Sequence, residues 1–264
     1  MKEYKRFLYS FRAEALLIIF VTILLAYFGL SSNTPLGTLY KIGPIIMLII
    51  EIVWIKKTKK RVRKLFYSDV TLSIFEQYLA IYYKKRASKP HALKRFRFNY
   101  LGTVVNYDLL LGNNDGAQAS LEQLQKLNIR NKKHCEIIAI NQVVVNIRQS
   151  AYASREALEE AISSIPFTSE KHRQSYSASL LAQYDLLIAQ IPNDHYDQVS
   201  DTAKGVYAVH IAQHNYYRAL NARLKGDNDR ADALFSQLAS LDSPLYVVKE
   251  ARMYVEEKGE KRHA

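Results

Sequence analysis

The sequence predicts an all-α protein in which a two-helix transmembrane hairpin precedes an α-solenoid, that is, a stack of helical hairpins. Two apolar segments near the start of the chain are followed by a dense run of Lys and Arg. After Phe66, apolar residues recur at helical spacing and no alternating strand pattern of useful length occurs. Two later segments share one order of glycine, polar turn and amphipathic helix, which is typical of helical repeats.

The predicted transmembrane hairpin covers residues 15–55, with spans at about 15–33 and 36–55. A span requires about 20 apolar residues. The chain carries no charged residue from Ala15 to Tyr40, and most positions at the start of this stretch are aliphatic or aromatic. Both segments therefore have the composition expected of membrane helices.

The second span carries two charges, Lys41 near its outer end and Glu51 near its inner end. A charge at mid-membrane costs about 2.5–3.5 kcal/mol, whereas a charge near an interface reaches water or a counter-charge. We therefore interpret both residues as interfacial. A transport or proton-relay role for Glu51 is the alternative.

The distribution of Lys and Arg predicts that both termini face the cytoplasm and that the protein lies in the plasma or inner membrane. The basic N-terminus, residues 1–14, holds four basic residues and residues 56–64 hold seven, whereas only Lys41 lies near the intervening turn. A cleaved signal peptide is the competing interpretation of residues 1–30. Cleavage would leave the second basic segment on the translocated side, against the usual bias, and the lone Cys135 suits a reducing compartment.

Positive charge concentrates beside the predicted hairpin, in a basic juxtamembrane region at residues 56–97. The formal net charge is +12, yet residues 98–264 hold eighteen basic and twenty acidic residues. This composition argues against nucleic-acid binding. Basic residues beside a bilayer attract anionic lipid headgroups; for residues 84–97, a solvated face or an acidic partner is the alternative. The predicted membrane-surface contacts are Lys56, Lys57, Lys59, Lys60, Arg61, Arg63, Lys64, Lys84, Lys85, Arg86, Lys94, Arg95 and Arg97.

Residues 98–258 are predicted to form helical hairpins, because glycine and proline are few and fall at intervals. Residues 110–127 and 224–241 share one order of features: a glycine ends one helix, and an Asn/Asp turn leads into the next. In that next helix, a small alanine lies four residues before a large apolar side chain. Two weaker hairpins turn near 150–154 and 192–193, so four are available for a stack. The repeat-structural residues are Gly112, Ala117, Leu121, Gly226, Asp227, Ala231 and Phe235.

Two further helices are predicted at the ends of the stack. Asp69–Tyr83 connects the membrane hairpin to the repeats, and Leu245–Lys258 caps the last repeat before a polar tail at residues 259–264. A capping helix covers the apolar face that the last hairpin would otherwise expose.

The last hairpin resembles the tetratricopeptide repeat. At or within one residue of the family's signature places lie Gly226, Asp227, Ala231, Phe235 and Pro244. The signature places of the first helix depart from the family, since they hold Asn215, Arg218 and Ala219. The spacing of about 38–40 residues also exceeds the thirty-four of the family. The resemblance implies a curved, tetratricopeptide-like stack whose concave groove binds peptides or protein segments.

The chain lacks the motifs of phosphate-binding loops, zinc proteases, paired-cysteine centres and serine nucleophile elbows. His210 and His214 have ligand-like spacing, but no Cys or acid lies nearby on the same face. Asp227 and Asp229 lack the Glu that a calcium loop requires, so we interpret them as turn and cap residues. Cys135 is interpreted as a packed, inert thiol. We therefore expect no enzyme activity, no metal and no cofactor.

A cluster of tyrosine and arginine in the last repeat is the predicted partner-binding surface. Amphipathic aromatic rings suit protein grooves, and ordinary packing between helices is the alternative. The residues are Tyr207, Tyr216, Tyr217, Arg218 and Arg223.

These features together predict a membrane-anchored cytoplasmic adaptor or scaffold whose repeats bind a protein or peptide partner beside the bilayer. The alternative is an accessory, regulatory or immunity-like subunit of a membrane transporter or envelope complex that acts through its hairpin. Replacing Lys41 and Glu51 with Leu separates the two, because only the alternative makes these residues essential.

Overall fold

The chain divides into two compact units, Met1–Phe66 and Tyr67–Ala264. All regular structure in the described residues is helical and contains no strand, which confirms the all-α class. The computed structural model describes residues 17–21, 23, 35–82, 94–128, 130–203 and 206–263.

Eleven α-helices and one π-helix are named in the described part of the chain. They are α1 Pro35–Ser68, α2 Ser73–Tyr82, α3 Lys94–Leu111, α4 Asn114–Lys126, α5 Lys132–Arg148, α6 Arg155–Ser163, α7 Glu170–Tyr184, the π-helix Asp185–Ala189, α8 His195–Gln198, α9 Ala208–Leu224, α10 Asn228–Ala239 and α11 Tyr246–His263.

The second predicted span, residues 36–55, is helical along its whole length and lies within α1. Of the first predicted span, 15–33, only residues 17–21 and 23 are described, and these are helical. None of the helices in the described residues combines the length and the apolar character needed to cross a membrane. The helical part of the prediction for 36–55 is therefore confirmed, while insertion into a bilayer stays a prediction.

The predicted connecting helix begins later than Asp69, because this residue forms a turn. Its carboxylate accepts hydrogen bonds from the Thr71 backbone N–H at 2.9 Å and from the Ser73 hydroxyl at 2.8 Å. Leu72 adopts a left-handed conformation with φ of 58°. Side-chain bonds of this kind compete with helix formation, so α2 starts only at Ser73.

The hairpin turns predicted at the two glycines are confirmed. Gly112 and Gly226 adopt left-handed φ angles of 78° and 80°, which glycine accepts without steric cost. Asn113 and Asp227 follow them and cap α4 and α10 by accepting backbone hydrogen bonds at 3.1 Å and 3.2 Å. The small and large apolar residues that come next, Ala117, Leu121, Ala231 and Phe235, are buried.

The hairpins are α3–α4, α5–α6, α7–α8 and α9–α10, in the order of the chain. Ser154 caps α6, as expected for a turn near 150–154. The third hairpin departs from the prediction, because α7 runs into the π-helix, which ends at the left-handed Gln190, and α8 is only four residues long. One apolar core joins α3, α4 and α5, and a second joins α5, α6 and α7.

The last elements of the second unit contact its first elements. The Ser243 hydroxyl donates a hydrogen bond to the Val70 carbonyl at 2.6 Å, and the rings of Tyr67 and His210 stack at 4.8 Å. Gly112 lies directly against Tyr246, at the start of α11. The last helix of the stack therefore contacts its first hairpin, and we call this arrangement a closed stack; the repeat pattern in the sequence did not predict it.

The capping helix α11 is longer than predicted and continues to His263. The predicted polar tail at 259–264 is thus mostly helical. Glu, Lys and Arg dominate this stretch, and all three are good helix formers.

Candidate binding cavity on the inner face of the stack

A cavity of about 340 Å³ lies on the inner side of the second unit. Its walls come from α3, α5, α7 and α9, the first helix of each hairpin, together with Tyr67 and Tyr196. Alternate helices of a solenoid share one face, so all four hairpins contribute to a single concave space. We call this space the inner cavity. Its polar lining includes Asn106, Arg148, Gln183, His210, His214 and Tyr217.

Stacked tyrosines form one wall of the inner cavity. The rings of Tyr196 and Tyr217 stack at a centroid distance of 4.4 Å. The Tyr217 hydroxyl donates to Gln183 Oε1 at 3.2 Å and lies 2.9 Å from the Tyr246 hydroxyl. Burial raises the pKa of Tyr196 to about 12 and raises the pKa of Tyr217 well above its ordinary value. These hydroxyls therefore stay neutral and act as hydrogen-bond donors and acceptors.

Arg148 places a guanidinium group in the wall of the inner cavity. It ends α5, donates a hydrogen bond from Nη1 to the Leu109 carbonyl, and lies over the Tyr246 ring at 4.2 Å. Its Nε atom is buried and has no hydrogen-bond partner within the described part of the chain. The Leu109 bond satisfies a carbonyl near the end of α3, and the ring contact is a cation–π interaction.

A polar network fixes the loop before α9 against that helix. Asp201 accepts hydrogen bonds from His214 at 3.0 Å and from Arg218 at 2.5 Å. Arg218 also donates to the carbonyls of Tyr196 and Val199, at 2.9 Å and 2.6 Å. Burial raises the pKa of the Asp201 carboxyl, but the bonds from Arg218 and His214 outweigh this effect and hold it below its ordinary value. Asp201 is thus charged, and both of its carboxylate oxygens have hydrogen-bond partners.

The structure does not bring the five predicted partner-binding residues together on one accessible surface. Tyr216 and Tyr217 are only 6% and 3% exposed, and Arg218 is committed to the Asp201 network. Tyr207 is half-buried before α9, whereas Arg223 is exposed and lies 6.0 Å from the centre of the Tyr254 ring. Tyr216, Tyr217 and Arg218 instead follow the alternative given above, in which these side chains pack between helices. Only Tyr217 of the five lines the inner cavity.

The two histidines with ligand-like spacing have separate roles. His210 Nδ1 accepts a hydrogen bond from the Tyr207 backbone N–H at 3.2 Å, and His214 Nδ1 faces Asp201. The described residues contain no group of three or more His, Cys, Asp and Glu that could hold a metal ion. The ring of His134 stacks on Phe98 at 4.0 Å, and the neighbouring Cys135 lines a different cavity.

That different cavity, of about 570 Å³, lies among α4, α5 and α6. Its lining is largely apolar and includes Leu124, Ile138 and Cys135. The amides on its wall bond to protein groups: Gln142 Nε2 donates to Gln118 at 2.7 Å and to Asn146 at 3.0 Å. The Gln142 amide donor on this wall is therefore satisfied within the protein.

Most of the predicted membrane-surface residues that the structure describes are exposed. Lys56, Lys57, Lys60, Arg61, Arg63 and Lys64 are exposed on α1, Lys94 is exposed on α3, and Arg97 is half-buried. Lys84, Lys85 and Arg86 lie outside the described residues, as do the side chains of Lys59, Arg95, Lys41 and Glu51.

Sequence reasoning missed Arg148 as a candidate functional residue. The available signal is its position, because a basic residue follows Val143, Val144, Val145 and Ile147 on a helix whose other residues there are buried or half-buried. A basic residue in the last turn of a helix is usually exposed, because it can interact favourably with the helix dipole while it remains at the surface. Only the fold shows that this turn meets α9 and α11.

No family model matches the chain, and no similar curated protein or solved structure is found.

Proposed function

We propose that the protein is a membrane-anchored adaptor whose helical stack binds a protein or peptide partner in the inner cavity. The observation that carries this proposal is the composition of the cavity wall, which combines helices from all four hairpins with tyrosine, amide and guanidinium groups. Aromatic and arginine side chains are typical of protein-binding surfaces. The proposal assigns the cavity to binding and assigns it no reaction.

The anchoring part of the proposal is supported by the surface of α1. Ile49, Ile50, Ile52 and Val53 are 44–56% exposed, and the exposed basic residues of α1 begin three residues later at Lys56. A run of exposed apolar residues requires cover by lipid or protein. Basic residues beside it favour an anionic membrane surface, at about 1 kcal/mol each.

Membrane fractionation tests the anchor. We expect the full chain to remain with membranes after high-salt and alkaline carbonate washes, because apolar insertion does not depend on salt. We expect the double substitution Ile50→Arg and Val53→Arg to reduce this retention, since it removes two exposed apolar side chains from the surface that lipid would cover. Ile137→Arg, at an exposed apolar position of the second unit, is the matched control. Release of the unaltered chain by salt alone would contradict insertion.

Affinity purification from mild detergent, with mass spectrometry of the bound proteins, tests the adaptor. Three baits are compared: the full chain, a chain truncated after Leu65, and a full chain with Gln213→Arg, which places a bulky charge in the inner cavity. We expect a partner of the full chain to be lost from both altered baits. An exposed substitution on α10, Ser236→Arg, is the control and should retain the partner. A partner retained after truncation would favour an accessory subunit of a membrane complex that acts through the hairpin.

A further inference from the structure

The guanidinium of Arg148 separates two cavities of the second unit. It lines the inner cavity and also a neighbouring cavity of about 380 Å³ beside Tyr216, Tyr246 and Lys249. Its position is fixed on two sides, by the Leu109 carbonyl and by the face of the Tyr246 ring. Arg148 is thus a positioned cation in the lining of both cavities.

The positive charge of Arg148 is not balanced by an acid. Among the ion pairs of the described residues, no carboxylate lies within 4.0 Å of its guanidinium, whereas Arg155, Arg173, Arg218 and Arg230 each have an acidic partner. The buried Nε atom lacks a hydrogen-bond partner as well. The Leu109 carbonyl and the Tyr246 ring contact the guanidinium, but a buried Nε–H donor left without an acceptor destabilises a fold, which favours an acceptor supplied by a ligand.

The other side chains of the inner cavity determine which anion suits it. Tyr67, Tyr176 and Tyr196 supply aromatic surface, and Gln183 and Gln213 supply neutral amides. No acid is among the described residues that line the inner cavity; Asp201, which contacts the lining residue His214, is already paired with Arg218, and Glu250 lines the neighbouring cavity. A single unpaired cation balances a singly charged group, and a phosphate dianion would leave excess negative charge in the cavity. A planar carboxylate also matches the fork of an arginine.

We propose that the inner cavity binds a carboxylate group, which pairs with the Arg148 guanidinium while the tyrosines contact the apolar part of the same ligand. This inference rests on the proposed binding function of the cavity and specifies its chemistry. The volume of about 340 Å³ suits the end of a peptide or a small organic acid. A peptide C-terminus and a small organic acid both present a carboxylate, and the experiment below distinguishes them.

The experiment is a titration of the full chain in detergent, with arginine labelled by ¹⁵N and the Nε–H resonance of Arg148 as the readout. The resonance is assigned by its loss in Arg148→Lys. The probes are N-acetyl-phenylalanine, its uncharged amide, phenylacetate, and a six-residue peptide ending in Phe with a free or an amidated C-terminus. We expect the acids to shift the Arg148 resonance in a saturable manner and the amides to leave it unchanged.

Comparison of the probes identifies the source of the carboxylate. Binding of the free-acid peptide at least about tenfold tighter than phenylacetate assigns the site to a chain terminus, and the reverse order assigns it to a small acid. Arg148→Lys should weaken binding of the preferred acid by a factor on the order of ten or more, because lysine lacks the planar fork. Arg173→Lys, at an exposed position on α7, should leave the affinity unchanged.

Equal shifts with acid and amide, or no shift with any acid, would overturn the carboxylate assignment without use of a variant. That outcome is distinct from failure of the adaptor proposal. If Gln213→Arg abolishes capture of a partner while no acid shifts Arg148, the cavity binds a partner by other chemistry. If acids bind but no partner is lost from either altered bait, the site is a small-molecule site and the adaptor proposal fails.

Discussion

Gly112→Ala is expected to destabilise the second unit far more than Gly226→Ala does, although the two glycines hold the same place in their hairpins. Both have left-handed φ angles, 78° and 80°, so each substitution carries the same backbone penalty of about 1–2 kcal/mol. At Gly112 an added Cβ would lie 2.9 Å from Tyr246 Cβ, whereas at Gly226 it meets nothing within 4 Å. Overpacking of this kind costs about 1–3 kcal/mol in addition.

Urea unfolding of the full chain, followed by far-UV circular dichroism, measures the difference. The midpoint should fall for both variants and fall further for Gly112→Ala, with the slope unchanged. Because the backbone penalty cancels in the comparison, the remaining difference reports the contact between the first hairpin and α11. Equal losses for the two variants would mean that α11 moves away from Gly112 at little cost, and that the contact between α11 and the first hairpin is not tightly packed.

The local parts of the fold were predictable because their causes lie within a few residues. Gly112 and Gly226 end helices, Asn113 and Asp227 cap the next ones, and the burial of Ala117 and Leu121 follows from their spacing on one helical face. The helical character of residues 36–55 followed in the same way from composition.

The parts of the fold that were not predicted depend on contacts between residues far apart in the chain. A repeat pattern describes neighbouring hairpins and does not show whether the last helix returns to the first. Tyr246 against Gly112 and Ser243 against Val70 are such contacts. The late start of the predicted connecting helix has a different cause, since the side chain of Asp69 accepts a hydrogen bond from the Thr71 backbone N–H and forms a turn before Ser73.

The burial of the tyrosines in the predicted partner-binding surface was not predictable, for a related reason. Tyr216 and Tyr217 are amphipathic, and the sequence pattern alone does not separate a ring in a groove from a ring between helices. The structure buries both, and it places the unbalanced charge on Arg148, two hairpins earlier in the chain. An arginine acquires such a role only from the helices that surround it.

Phe235→Ala is expected to lower the free energy of unfolding by about 3–5 kcal/mol, the usual cost of removing a fully buried aromatic ring. Phe235 is 1% exposed, and its ring lies 4.2 Å from that of Tyr254 and 6.2 Å from that of Tyr216. Leu234→Ala on the same helix removes a half-buried side chain and should cost much less. Chemical denaturation of the full chain gives both values, and similar costs would contradict the packing of α10 described above.

The same variant distinguishes a closed stack from an open one through hydrogen exchange. In an open solenoid, damage to α10 accelerates exchange in the neighbouring helices and fades along the chain, because each repeat contacts only its neighbours. Here α11 connects α10 to Gly112, so we expect faster exchange in α3 and α4 as well. Mass spectrometry of exchanged peptides resolves these segments. Acceleration confined to α9, α10 and α11 would show that the contact at Tyr246 does not couple the two ends of the unit. In that case the inner cavity would open next to α11 without unfolding of the first hairpin.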